Sequence, residues 1–100
     1  MFASTNLKNM KTEVKKMMET LLQNANSFKD GNLTGFINND RDAMAFIRED
    51  DENTILVKLS HTDEAFFVFE GEGIFNYDTR EELTLSELQD KILDFKNQCF

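Results

Sequence analysis

The chain has 100 residues, 40% of them hydrophobic, with ten phenylalanines and neither tryptophan nor proline; this suits one compact domain over residues 1–100 and excludes global disorder. Nineteen acids against eleven lysines and arginines give a net charge of −8, which argues against direct nucleic-acid binding because phosphate contacts need a clustered basic face. Cys99 is the only cysteine, so no intramolecular disulfide forms, and no apolar stretch nears the roughly 20 residues that cross a bilayer; the expected setting is the cytoplasm.

In chain order, residues 5–28 are expected to form one long amphipathic helix. Leu7, Met10, Val14, Met17, Met18, Leu21, Ala25 and Phe28 recur at three- and four-residue steps and share one stripe, while Lys8, Lys11 and Lys15 share an exposed one. Ser4, Thr5 or Asn6 supplies a capping oxygen. Lys29-Asp30-Gly31-Asn32 stops the helix.

Short segments divided by polar turns follow. Leu33 to Ile37 is a candidate strand. Residues 43–48 fit strand or helix, since Ala and Met favour helix while Phe46 and Ile47 suit a strand. Thr54 to Ser60 is the clearest strand, with Ile55, Val57 and Leu59 on one face. Ala65 to Glu70 is another, and Gly71-Glu72-Gly73 bends it into Ile74 to Tyr77. Thr84-Leu85-Ser86-Glu87 has the form of a capping box and opens a last helix, on which Leu85, Leu88, Ile92, Phe95 and Cys99 face inward. A helix, three to five strands and a second helix predict an α+β fold, with the C-terminal helix packed on an antiparallel sheet.

No string carries a catalytic or metal signature. Asp30 to Ile37 matches the opening of an EF-hand calcium loop, but Arg41 stands where the loop's bidentate glutamate belongs. A helix stop followed by a strand explains the same residues. His61, the only histidine, has Ser60, Thr62, Asp63 and Glu64 beside it, yet neighbours along a strand point to opposite faces and make no triad. An enzyme built on His61 is therefore the least favoured reading. One histidine and one cysteine make no zinc site within one copy, and Cys99 reads as core or as a frayed helix end more readily than as a nucleophile. The expectation is no catalytic residue, no cofactor and no metal.

Two surfaces remain. Glu49, Asp50, Asp51 and Glu52 form the densest acidic run, expected at a hairpin tip, and Asp40, Asp42, Asp63 and Glu64 in neighbouring turns enlarge the patch. It is either a solvated turn that discourages edge-to-edge aggregation or a prong aimed at basic groups of a partner protein. Phe66 to Phe69 is apolar on both faces of its strand. Either the two helices cover different faces, or one face is left for a partner. Leu56, Phe66 and Val68 are the candidate residues of that hydrophobic interface, in a homodimer or a docking site.

The charge is unevenly spread. Residues 1–29 hold five lysines and two glutamates, a balance of +3, whereas the remainder holds six cations and seventeen acids, a balance of −11. In size, acidity and plainness the chain is similar to small phage-encoded inhibitors that mimic DNA or block nucleases, such as anti-CRISPR proteins, a likeness of general character that rests on no motif. Ten asparagines beside few alanines suit the AT-rich genome of a phage or mobile element. The likeness implies an acidic binding protein or inhibitor that docks on a basic, nucleic-acid-binding partner in the host-cell cytoplasm. The alternative is a self-assembling subunit or homodimeric module.

Overall fold

The computed structural model describes residues 9–60 and 62–100. Its elements are α1 (Met10–Leu21), β1 (Asn26–Asp30), β2 (Leu33–Ile37), β3 (Met44–Asp51), β4 (Thr54–Leu59), β5 (Glu64–Phe69), β6 (Gly73–Asn76), β7 (Glu82–Leu83) and α2 (Leu85–Cys99). The strands form one antiparallel sheet in sequence order, so each pairs with the one before it. The class is α+β as expected, but the sheet has seven strands among the described residues instead of three to five.

The first helix is shorter than its apolar spacing predicts. It ends at Leu21, and residues 26–30 become β1 although Ala25 and Phe28 continue the helical stripe. Asn24, Asn26 and Ser27 are poor in a helix interior because their side chains compete for backbone partners. The two-residue loop Gly31-Asn32, with Gly31 at φ 60, closes a hairpin between β1 and β2 instead. The string that resembles a calcium loop is thus a turn and a strand, for residues 33–37 pair along their length with both β1 and β3. Residues 44–51, ambiguous in sequence, are strand β3.

Ser4, Thr5 and Asn6, the expected caps of the first helix, lie outside the described residues, as does Lys8. Within them, α1 is capped from across the fold: the Lys11 backbone N–H donates to the Glu70 carboxylate just past β5. That contact satisfies an orphan donor and sets negative charge at the positive end of the helix. The capping box of α2 forms as its sequence predicts. Thr84 Oγ1 accepts from the Glu87 N–H at 3.1 Å, and Glu87 Oε1 accepts from the Thr84 N–H at 2.8 Å.

Register decides which strand residues share a face. Ala45, Ile47, Ile55, Val57, Leu59, Phe66, Val68 and Ile74 line one side, each 3% exposed or less. Onto them α1 lays Met10, Val14, Met18 and the adjoining Leu22, and α2 lays Leu88, Ile92 and Phe95. Burying each such side chain stabilises by roughly 1.5–3 kcal/mol, and truncating one as large as Phe66 to alanine costs about 3–5 kcal/mol. No helix among the described residues is long and apolar enough to cross a membrane.

A sequential antiparallel sheet sends alternate turns to opposite ends. At one end, the Glu49 N–H donates to the Asn32 carbonyl and the Glu70 N–H to the Asn53 carbonyl, which stitches together the turns after β1, β3 and β5. At the other end lie the turns after β2, β4 and β6, where the Ser60 N–H donates to the Met44 carbonyl and the Tyr77 N–H to that of Ala65.

Candidate functional site

Both helices pack on the same side of the sheet, so no described element covers the other side. That side is far from polar. One row, in register across five strands, reads Phe75, Phe67, Leu56, Arg48, Leu33. The row beside it reads Ala65, Lys58, Phe46, Gly35, Phe28. The Phe67 ring lies 5.0 Å from that of Tyr77 and 5.6 Å from that of Phe69, which in turn lies 5.9 Å from Phe75. These tilted pairs shade one another, which leaves Phe67, Phe69 and Phe75 half-buried and Tyr77 48% exposed. At the β1 edge, the Phe28 ring occupies the space beside Gly35, where a Cβ would run into it.

Near the centre, Phe46, Leu56, Ala65 and Tyr77 wall a shallow cleft of about 320 Å³ with Arg48 and Lys58. Both cations stand on the uncovered side, and each has its own carboxylate. Arg48 Nε donates to Asp50 at 2.6 Å, and Lys58 Nζ lies 3.3 Å from Asp63. The hydrogen bond to Asp50 raises the Arg48 guanidinium above its already high value, so it stays charged across the usable pH range.

The acidic patch expected from sequence does not assemble. Glu49, Asp50, Asp51 and Glu52 sit at the β3–β4 end, with Asp50 as the extra residue of a bulge between Glu49 and Asp51. Asp40, Asp42, Asp63 and Glu64 sit at the opposite end, about 25 Å away along the eight residues of β3. Much of the charge is also matched internally. Lys15 pairs with Glu49 at 3.2 Å and Lys91 with Glu64 at 3.1 Å, while Lys11 Nζ donates to the Asp51 and Glu52 carbonyls. Of the basic stripe expected on the first helix, Lys11 and Lys15 are therefore engaged within the fold, and Lys8 lies outside the described residues. Lys11 and Lys15 lean on the acidic hairpin.

The hydrophobic candidates also divide. Leu56 lies on the uncovered side, but Phe66 and Val68 are 0% exposed beneath the helices. Leu56 stands opposite Phe67 and Ile55 opposite Val68, so the interface partners of Leu56 are Phe67 and Phe69, which sequence reasoning missed. Their signal was the same apolar run read in the other phase.

His61 lies outside the described residues. Cys99 is half-buried in α2; burial, and then the negative charge of Asp42, push its thiol up, away from the thiolate a nucleophile needs. Among the described residues no three His, Cys, Asp or Glu side chains group so as to hold a metal ion. Comparison of the chain with protein-family models, with curated proteins and with solved structures finds no match.

Proposed function

We propose that the chain is a non-catalytic interaction protein that docks on another protein through its uncovered aromatic sheet face. The observation that carries this reading is the cluster of Phe67, Phe69, Phe75 and Tyr77 on a side neither helix covers. Contiguous apolar patches of more than a few hundred Å² mark interaction sites on soluble proteins, and interface centres are enriched in aromatic, Met and Arg side chains of the kind found here in Met44 and Arg48.

A second reading keeps a basic, nucleic-acid-binding partner and an inhibitory role. In its first form, a prong at Glu49 to Glu52, it loses support to the cations that already engage that tip. In a second form, the Asp63 side chain, 86% exposed, and Asp78 border the cleft and set carboxylates at the rim of the aromatic face.

Affinity capture from lysate tests the assignment, at low salt and at about 0.5 M, where screening shortens to roughly 4 Å. The wild type and a tip variant, Asp51→Asn with Glu52→Gln, are expected to hold the same partner at both salts, and Tyr77→Asp to lose it. Capture that survives Tyr77→Asp but fails in the tip variant would return the interface to the acidic hairpin.

A further inference from the structure

We infer that the occupant of the uncovered face is a protein segment that brings a pair of arginine or lysine side chains to the β6 side of the aromatic cluster; the inference rests on the reading of that face as a docking surface. Charge is the first argument. The carboxylates of Asp30, Asp50, Asp63, Asp78 and Glu82 stand on this side or line its cleft, against the cations Arg48 and Lys58. Arg41, at one corner, shares its hollow with Asp42, and counting Arg80 of the β6–β7 turn as a third cation still leaves acids in excess. The central cations are also engaged. Asp50 holds Arg48 at 2.6 Å and Asp63 holds Lys58 at 3.3 Å, whereas among the described residues no cation pairs with Asp78 or Glu82. A second copy would set the same excess against itself, and nucleic acid or an anionic surface is repelled outright. A cationic partner gains from it.

Position is the second argument, for each of those two carboxylates stands beside an aromatic ring. Glu82 is in register with Phe75, and its carboxylate, at 3.1 Å, and the Phe75 ring, at 3.9 Å, flank the point where Gly73 would carry a Cβ. Asp78 borders the cleft with Tyr77, at 48% the most exposed large hydrophobic residue. A carboxylate next to a ring suits a guanidinium, a planar cation that stacks on the ring while it donates paired hydrogen bonds to the acid. A lysine ammonium meets the same two groups as a point charge. Tyr77 prolongs β6, since its N–H donates to the Ala65 carbonyl at 2.8 Å. Phe75 and Tyr77 are thus two strand positions apart on one side, about 7 Å. That step separates alternate residues of an extended segment, and nearly that step separates residues one turn apart on a helix. The occupant's cations therefore stand two residues apart on a strand or four apart on a helix, with apolar side chains beside them over Phe67 and Phe69. Rim charges steer the encounter while the aromatic contact sets dissociation, so a partner caught at low salt is still held at about 0.5 M.

The test uses synthetic amphipathic peptides that share a leucine face and carry arginine, glutamine or glutamate pairs four residues apart. Each is titrated into the isotope-labelled full chain and followed by NMR. The arginine peptide is expected to shift the amides of Phe67, Phe75 and Tyr77 and to bind about tenfold more tightly than the glutamine peptide, with the glutamate peptide weaker still. Asp78→Asn with Glu82→Gln, both close in shape to the native residues, weakens the arginine peptide by about tenfold and brings it level with the glutamine peptide. Asp51→Asn with Glu52→Gln removes the same charge from the hairpin tip and changes binding by less than about twofold. Equal binding of the arginine and glutamine peptides at the face sinks the cationic partner and keeps the docking face. Equal losses in the two double variants reduce the attraction to bulk charge and overturn the inference too. So do face amides that shift with protein concentration in the absence of peptide, which put a second copy there. If no peptide moves the face, the cationic partner is wrong, and retention of the lysate partner by Tyr77→Asp then decides against the docking face as well.

Discussion

Asn38→Ala is expected to destabilise the fold by about 3 kcal/mol, a large effect for one loop residue, and the figure follows from four hydrogen bonds. Asn38, 4% exposed, closes β2 and starts the turn to β3. Its Oδ1 accepts from the Asp42 and Ala43 N–H groups at 3.1 and 3.2 Å, and its Nδ2 donates to the Asp42 carboxylate and the Cys99 carbonyl, both at 2.7 Å. The side chain thus builds the turn and clasps it to the last turn of α2, where carbonyls otherwise lack partners. Water replaces the bonds to exposed Asp42 at small cost. It cannot reach the N–H of Ala43, 4% exposed, and leaving that donor unpaired costs about 1–3 kcal/mol, while the lost bond to Cys99 costs about 1 kcal/mol more. With an unfolding entropy near 0.2 kcal/mol/K for this length, Tm falls by roughly 15 °C. Urea titration followed by circular dichroism measures the loss. A change below about 1 kcal/mol at an unchanged m-value refutes the clasp. Asn38→Asp keeps the acceptor but sets a second carboxylate beside Asp42. It is destabilised at neutral pH and recovers as pH falls and the new carboxyl takes up a proton, because the folded state then binds the extra proton more tightly than the unfolded chain.

Two further outcomes test smaller parts of the fold. Thr84→Ala removes one half of the capping box and is expected to cost about 1 kcal/mol in the same titration; no change would mean that Glu87 alone holds the start of α2. Iodoacetamide should alkylate Cys99 more slowly in the native chain than in urea at the same pH, because burial and Asp42 raise the folded thiol. Since the folded state then keeps its proton longer, stability should fall, not rise, as pH climbs through the ordinary thiol range. Equal alkylation rates in the two states would remove that account.

Local signals in the sequence were legible where one segment carries the whole cause. The capping box at Thr84 and Glu87, the alternation of Ile55, Val57 and Leu59, and the inward stripe of α2 depend on neighbours within one element, and each forms as read. What failed needed a partner strand. Phe28 sits in helical phase with Leu21 and Ala25, and only the hairpin with β2 makes it a strand residue. The two-residue strand β7 has no periodicity to read. Because Phe66 to Phe69 is apolar in both phases, nothing within it says which pair meets the helices; the opposition of Leu56 to Phe67 settles that. The acidic patch failed for a topological reason. One strand separates the turn at Asp40 from that at Asp51, so the two charges point away from each other however close they stand in sequence.

The order of the sheet also bears on how the chain comes into being. Each strand pairs with its predecessor across a short turn, so pairing can follow synthesis strand by strand with little loop entropy to overcome. The covering layer does not follow that rhythm. Its halves, α1 and α2, flank the sheet in sequence and touch each other only in the finished fold. Until residues 85–99 have left the ribosome, Phe66, Val68 and Ile74 lie under half a roof, and the nascent sheet shows apolar side chains to water on both sides. The interval of greatest exposure to aggregation therefore comes late, after the last strand has paired. Arrival of the second helix, and not closure of any hairpin, is the event that ends it.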